Sequence, residues 1–202
     1  MTRKKLPDCK YFFLDSGVIM DKFRIDLTHA PENVKRRIEQ TNNFFAALND
    51  PFQYGGQKKF FQVSAISLAE LFHLDNHHEK TVQAVIEAFD GQNLEILTFD
   101  HHTAAFHNKE FYNLLSKNEI AQIKKAVNYP VSQYSNIEDR IRKDIMIAAS
   151  AKMYNSDVVL TNDGGFKALC DRLDIFCHLF TDSDNQFITG QGNSSAIFDF
   201  NV

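Results

Sequence analysis

Asp139-Arg-Ile-Arg-Lys-Asp-Ile-Met-Ile-Ala-Ala-Ser-Ala-Lys-Met-Tyr-Asn-Ser-Asp-Val-Val-Leu-Thr-Asn-Asp-Gly-Gly-Phe166 decides how the rest of this chain is read. It combines a helix with small inward residues, a short strand Val158-Val-Leu160 apolar at every position, and a carboxylate at the strand's end. A short continuous apolar run of that kind is what a strand buried on both faces requires. Two acids stand out. Asp144 shares a helix face with Ile141, Ile147 and Ala148, and Asp163 follows the strand before Gly-Gly.

Working outward, Ser135-Asn-Ile-Glu138 has capping-box spacing and opens this helix, which runs through Tyr154. Tyr11-Phe-Phe-Leu14 is a second buried-strand run, ended by Asp15 and turned by Ser16-Gly17 into Val18–Phe23. Residues 31–48 read as a helix with Pro31 in its first turn and Val34, Ile38, Phe45 and Leu48 on a rough apolar face. Gly55-Gly56 marks a loop. Phe60–Ser64 reads as a strand, followed by a helix that Ser67 would cap with Glu70 at capping-box spacing. Lys80–Phe89 reads as helix, Leu94–Phe99 as strand, and Asp100 as the cap of a helix through Leu115. Residues 116–135 are polar and mixed. Gly165–Leu173 reads as a short helix and Ile175–Leu179 as a last strand, before a loose tail at 181–202. Strands alternating with helices predict a mainly parallel sheet covered on both faces.

The composition permits this. At 202 residues the chain fits one domain with a substantial core, and 44% hydrophobic with 24% charged residues excludes a disordered chain. Its 19 Phe against no Trp predict an aromatic core. No apolar run approaches the ~20 residues of a membrane span. The basic N-terminus is interrupted too early for a secretory signal, so the expected location is cytoplasmic. Cys9, Cys170 and Cys177 form no CxxC pair and read as reduced thiols. The net charge of −4 does not advertise nucleic-acid binding, although a cluster of carboxylates in a site would account for it. Arg3/Lys4/Lys5, Lys35/Arg36/Arg37, Lys58/Lys59 and Arg140/Arg142/Lys143 are local basic patches, each equally well read as solvated surface.

The carboxylates carry the chemistry. In an open parallel sheet the strand C-termini share one edge, where sites form. Asp15 and Asp163 each end a strand, Glu70 sits early in the helix leaving another, and Asp144 lies on the helix preceding the Asp163 strand. Taken singly, each has an ordinary explanation as turn residue, capping acid or partner of an i,i+4 pair with Arg140. Together they predict acids crowded at one point, tolerable only around a divalent cation, and oxygen-only ligands select Mg2+ or Mn2+. One or two such ions activate a water against a phosphodiester.

Phe-Phe-Leu-Asp15-Ser, Ser64-Ala-Ile-Ser-Leu-Ala-Glu70-Leu, Asp144-Ile-Met-Ile-Ala-Ala-Ser-Ala151 and Val-Val-Leu-Thr161-Asn-Asp163-Gly-Gly-Phe166 together resemble the PIN-domain nucleases, the VapC-like ribonuclease toxins among them. The resemblance spans about residues 10–180. It implies an α/β fold, a three-layer α/β/α sandwich, over a single domain at 1–180 with a tail at 181–202. It also implies Mg2+- or Mn2+-dependent hydrolysis of RNA without a covalent intermediate. Asp15, Glu70, Asp144 and Asp163 would hold the metal, with Ser16, Thr161 and Asn162 supporting the pocket or the scissile phosphate. An antitoxin partner and a homodimer are left open by it, and no membrane is involved.

The chain departs from the compact toxins in elaborations near 24–59 and 103–135. The extra helical turns carrying Arg140, Arg142 and Lys143 would stand above the pocket and grip substrate phosphates. Three other readings compete. A non-catalytic PIN-like module would bind RNA or protein. A haloacid-dehalogenase-type phosphatase would need a second Asp two residues from Asp15, where Phe13 and Gly17 stand. A zinc site at His73 and His77 would lack a third ligand nearby, so these read as helix-surface histidines.

Overall fold

The computed structural model describes residues 6–23, 27–48, 58–73, 94–112 and 137–180, with isolated positions 83, 87, 116, 118 and 122. Of the expected helix at 80–89 only Gln83 and Glu87 are described, both helical; the loop at Gly55-Gly56, the Ser135 cap and the tail at 181–202 lie outside these residues, as do most of residues 116–135. Five parallel strands form one sheet: β1 (Tyr11–Leu14), β2 (Phe60–Ser64), β3 (Leu94–Leu97), β4 (Val158–Thr161) and β5 (Cys177–Leu179). Their order is β3-β2-β1-β4-β5. The first half of the chain thus builds outward on one side of β1 and the second half on the other, which makes the C-terminal ends of β1 and β4 the switch point of a doubly wound sheet.

Alternation along the strands feeds two cores. Phe12, Leu14, Val63, Val158 and Leu160 pack on one face with Val18 and Ile19 of α1 (Ser16–Phe23) and Phe44 and Phe45 of α2 (Glu32–Leu48). Phe13 and Val159 point the other way, into a core of Ile141, Ile145 and Ala148 from α5 (Ile137–Met153) and Phe166 and Leu169 from α6 (Gly164–Arg172). Phe111 joins this second core from the π-helical turn Asn108–Tyr112, which continues α4 (His101–His107). Between strand and helix layers, α3 (Ala65–His73) leaves β2 without a loop and contributes Leu71 to the first core. The result is a three-layer α/β/α sandwich. Phe12, Phe13, Phe44, Phe111 and Phe166 are all fully buried, as the Phe-rich composition predicted. Cys9, Cys170 and Cys177 are buried thiols, none of them in a disulfide. No helix among the described residues is long and apolar enough to cross a membrane.

Several boundaries differ from the sequence reading, each for a local reason. The helix after β2 begins at Ala65, and its cap is Ser64, whose Oγ accepts from the Ile66 N–H at 3.1 Å. Ser67 therefore lies inside the helix, fully buried, and does not cap it. Pro31 stands one residue before α2, its carbonyl accepting from Val34 and Lys35. β3 stops at Leu97, where Thr98 and Asp100 turn to serve α4: Asp100 accepts from the amides of His102 and Thr103. β5 starts only at Cys177, since the Ile175 N–H is used to close α6 on the Cys170 carbonyl at 2.8 Å.

Candidate active site

Asp15 ends the central strand. Its amide donates to the Leu160 carbonyl on β4 at 3.0 Å, and its own carbonyl accepts from Val18 and Ile19 at the head of α1. The carboxylate is thus fixed from both sides, at 7% exposure. One oxygen accepts from the Thr161 hydroxyl at 2.7 Å, the other from the Ser16 amide at 2.8 Å.

Those two hydroxyl residues lead from Asp15 to two more acids. Thr161 Oγ1 donates to Asp15 and accepts from the Asp163 N–H at 3.0 Å. Ser16 Oγ lies 3.1 Å from Glu70 Oε2 and 3.4 Å from Asp15 Oδ1. Asp163 caps α6: its Oδ1 accepts from the amides of Gly165 at 2.6 Å and Phe166 at 3.2 Å. That role requires a short acceptor one residue ahead of the helix, which Asp supplies. Its other oxygen takes a hydrogen bond from Arg140, one turn before Asp144 on α5.

The electrostatics show that the fourth acid belongs to the same cluster. Burial pushes the Asp144 carboxyl up to about 8, the negative charge of Asp15 adds to this, Arg140 opposes it, and Asp163 and Glu70 raise it further. Asp15 is pushed up to about 6, again by burial first; the Thr161 hydrogen bond pulls it down, Asp163 pushes up, the Ser16 amide pulls down, and Glu70 pushes up. Four carboxylates from the ends of β1 and β4 and from α3 and α5 thus sense one another at the switch point. Among the described residues no three acids, histidines or cysteines stand in ready-made metal geometry. Asp15, Glu70 and Asp163 are each turned toward a hydrogen-bond donor, and Arg140 covers the outer oxygen of Asp163.

Of the supporting residues, Ser16 and Thr161 touch the acids directly. Asn162 faces away, its Nδ2 donating to Asp21 Oδ2 at 2.7 Å. Arg142 and Lys143 are exposed on α5 beside Arg140. Gly17 lies under Asn162: a Cβ there would meet Asn162 Oδ1 at 2.0 Å, so a larger residue at position 17 would have to displace that side chain. His77 lies outside the described residues, and of His73 only the backbone is described.

Sequence reasoning missed Asp21 and Arg37. Asp21 is buried within α1, and its two oxygens accept from Arg37 Nε at 2.5 Å and Nη2 at 3.0 Å. The available signal was spacing: Asp21 stands three and four residues after Val18 and Gly17, on the helix's inward face.

No family model matches the chain, and no curated protein matches it. Among solved structures it is similar to VapBC2 from Rickettsia felis, determined bound to a DNA fragment from their promoter. The identity is 17%, covering 84% of this chain and 98% of that chain, with a TM-score of 0.44.

Proposed function

We propose that this chain is a Mg2+- or Mn2+-dependent endoribonuclease, with Asp15, Glu70, Asp144 and Asp163 as the groups that hold the ion or ions. The observation that carries this is the convergence of four acids at one sheet edge: burial, with the charges of Asp163 and Glu70, raises Asp15 to about 6, and burial, with the charges of Asp15, Asp163 and Glu70, raises Asp144 to about 8. A carboxyl raised as far as Asp144 holds its proton at neutral pH unless a cation replaces it. The donor set is oxygen throughout, which fits a hard divalent ion and no thiolate-seeking metal. When bound, such an ion activates a water and steadies the charge developing on a phosphodiester.

The chain's own residues supply the rest. Thr161 and Ser16 hold Asp15 in one orientation and tie it to Asp163 and Glu70. Arg140 offsets negative charge at Asp163, and with exposed Arg142 and Lys143 it offers a basic turn to substrate phosphates. Incubation with single-stranded RNA and Mn2+ should give cleavage that a chelator stops and Asp144→Asn removes. RNA that stays intact under all metal conditions while binding persists would make the chain a binding module. That second reading draws on the Arg140–Asp163 pair, which already neutralises one acid internally.

As the toxin of a toxin-antitoxin pair, the chain would have an antitoxin for its partner. The motif resemblance supports this, and a small neighbouring reading frame whose product forms a complex with the chain would test it. A homodimer is checked by sedimentation.

A further inference from the structure

We propose that Arg37 and Asp21 are positioning residues for the acid site, acting through Asn162; this rests on the metal-binding reading above. Three observations meet at Asn162. Its Nδ2 donates to Asp21 Oδ2. Its Oδ1 occupies the space that any side chain larger than Gly would take at position 17. Its neighbours on either side are Thr161, the donor to Asp15, and Asp163, the acid that caps α6. The turn that joins two of the four acids is therefore gripped from behind by α1, and Arg37 extends that grip to α2.

The pair is poorly explained as a stabilising device alone. A buried ion pair gains little over a well-packed apolar pair of the same volume, because both charges must be taken out of water. Asp21 is 3% exposed, so that cost falls on its side of the pair, while Arg37 keeps 32% of its side chain in solvent. What the charged pair adds is direction. The Arg37 fork fixes both Asp21 oxygens, and Oδ2, the one bound by Nε, also receives the Asn162 amide. Groups that orient ligand-bearing segments from outside commonly set metal affinity. The helical elaboration within residues 24–59 thereby acquires a role: α2 brings the cation that aims Asp21.

The test uses the full chain and Mn2+ titration calorimetry alongside thermal melting. Arg37→Ala and Asn162→Ala should each weaken Mn2+ binding by about tenfold. The double variant should be no weaker than either single one, because both break the same relay. Arg37→Lys, which keeps charge but loses the fork, should fall between wild type and Arg37→Ala. If Arg37→Ala does not fold, Arg37→Lys takes its place in the cycle. Unchanged Mn2+ affinity with a lowered melting temperature would overturn the proposal, as would single effects that multiply in the double variant. Should the wild type bind no Mn2+, the metal reading itself fails and the relay is judged by NMR. Shifted backbone amide signals of Thr161 and Asp163 in Arg37→Lys would then support it, and unmoved signals would overturn it.

Discussion

A carboxyl group raised to about 8, as Asp144 is, binds its proton more tightly folded than unfolded. The stability it contributes is complete below its ordinary 3.8 and is lost as pH climbs through the folded value. Asp15 behaves likewise up to about 6. The metal-free protein should therefore melt at progressively lower temperature as pH rises from about 4 to about 8. Asp144→Asn should flatten the upper part of that slope, and Mn2+ should restore stability where both acids ionise. Differential scanning calorimetry across the range checks all three expectations; a flat profile for the wild type would contradict the burial of these acids. Arg140 opposes the rise at Asp144, so Arg140→Ala should move the acid limb of any cleavage profile to higher pH. Arg140→Ala together with Arg142→Ala should also reduce RNA affinity and its salt dependence, as for any phosphate contact. At this scale the sequence was informative where an acid closes an apolar strand, directly at Asp15 and two residues past the strand end at Asp163. It was silent on Asp21, which the neighbouring Lys22 disguises as a surface acid and whose partner lies sixteen residues on.

Helix ends show the same division. α5 finishes with Asn155 in the left-handed region at φ 54, the Ser156 amide reaching back to the Ala151 carbonyl and the Asn155 amide to Lys152. α6 repeats the motif with Asp174 at φ 53, through Ile175 to Cys170 and Asp174 to Asp171. Each closure reverses the chain into the strand that follows, β4 or β5, and so sets where that strand begins. Asn155→Ala should cost about 1 kcal/mol relative to Asn155→Gly, since a Cβ is disfavoured at positive φ and only Gly escapes it. Urea unfolding of the two variants measures the difference. Helix and strand identities were legible from periodicity, but their ends depend on which nearby group takes the last backbone hydrogen bond. Ser64 rather than Ser67 caps α3 because β2 runs into the helix with no loop, a continuity that side-chain pattern does not reveal.

Across the molecule, the central strand divides two cores, and Phe13 is its fully buried link to the second. Phe13→Ala should cost about 3–5 kcal/mol, read from the urea midpoint, with binding of Mn2+ to the surviving folded fraction unchanged. The layered α/β class was readable from strands apolar on both faces. The strand order was not, because periodicity says nothing about which strand stands beside which. That order has a temporal consequence. β1 is made before its neighbour β4, and the Thr161 hydroxyl that holds Asp15 follows 146 residues later. Pairings so distant along the chain form late, after their loops have closed. The seam that brings Thr161 to Asp15 therefore closes only once β4 has been made.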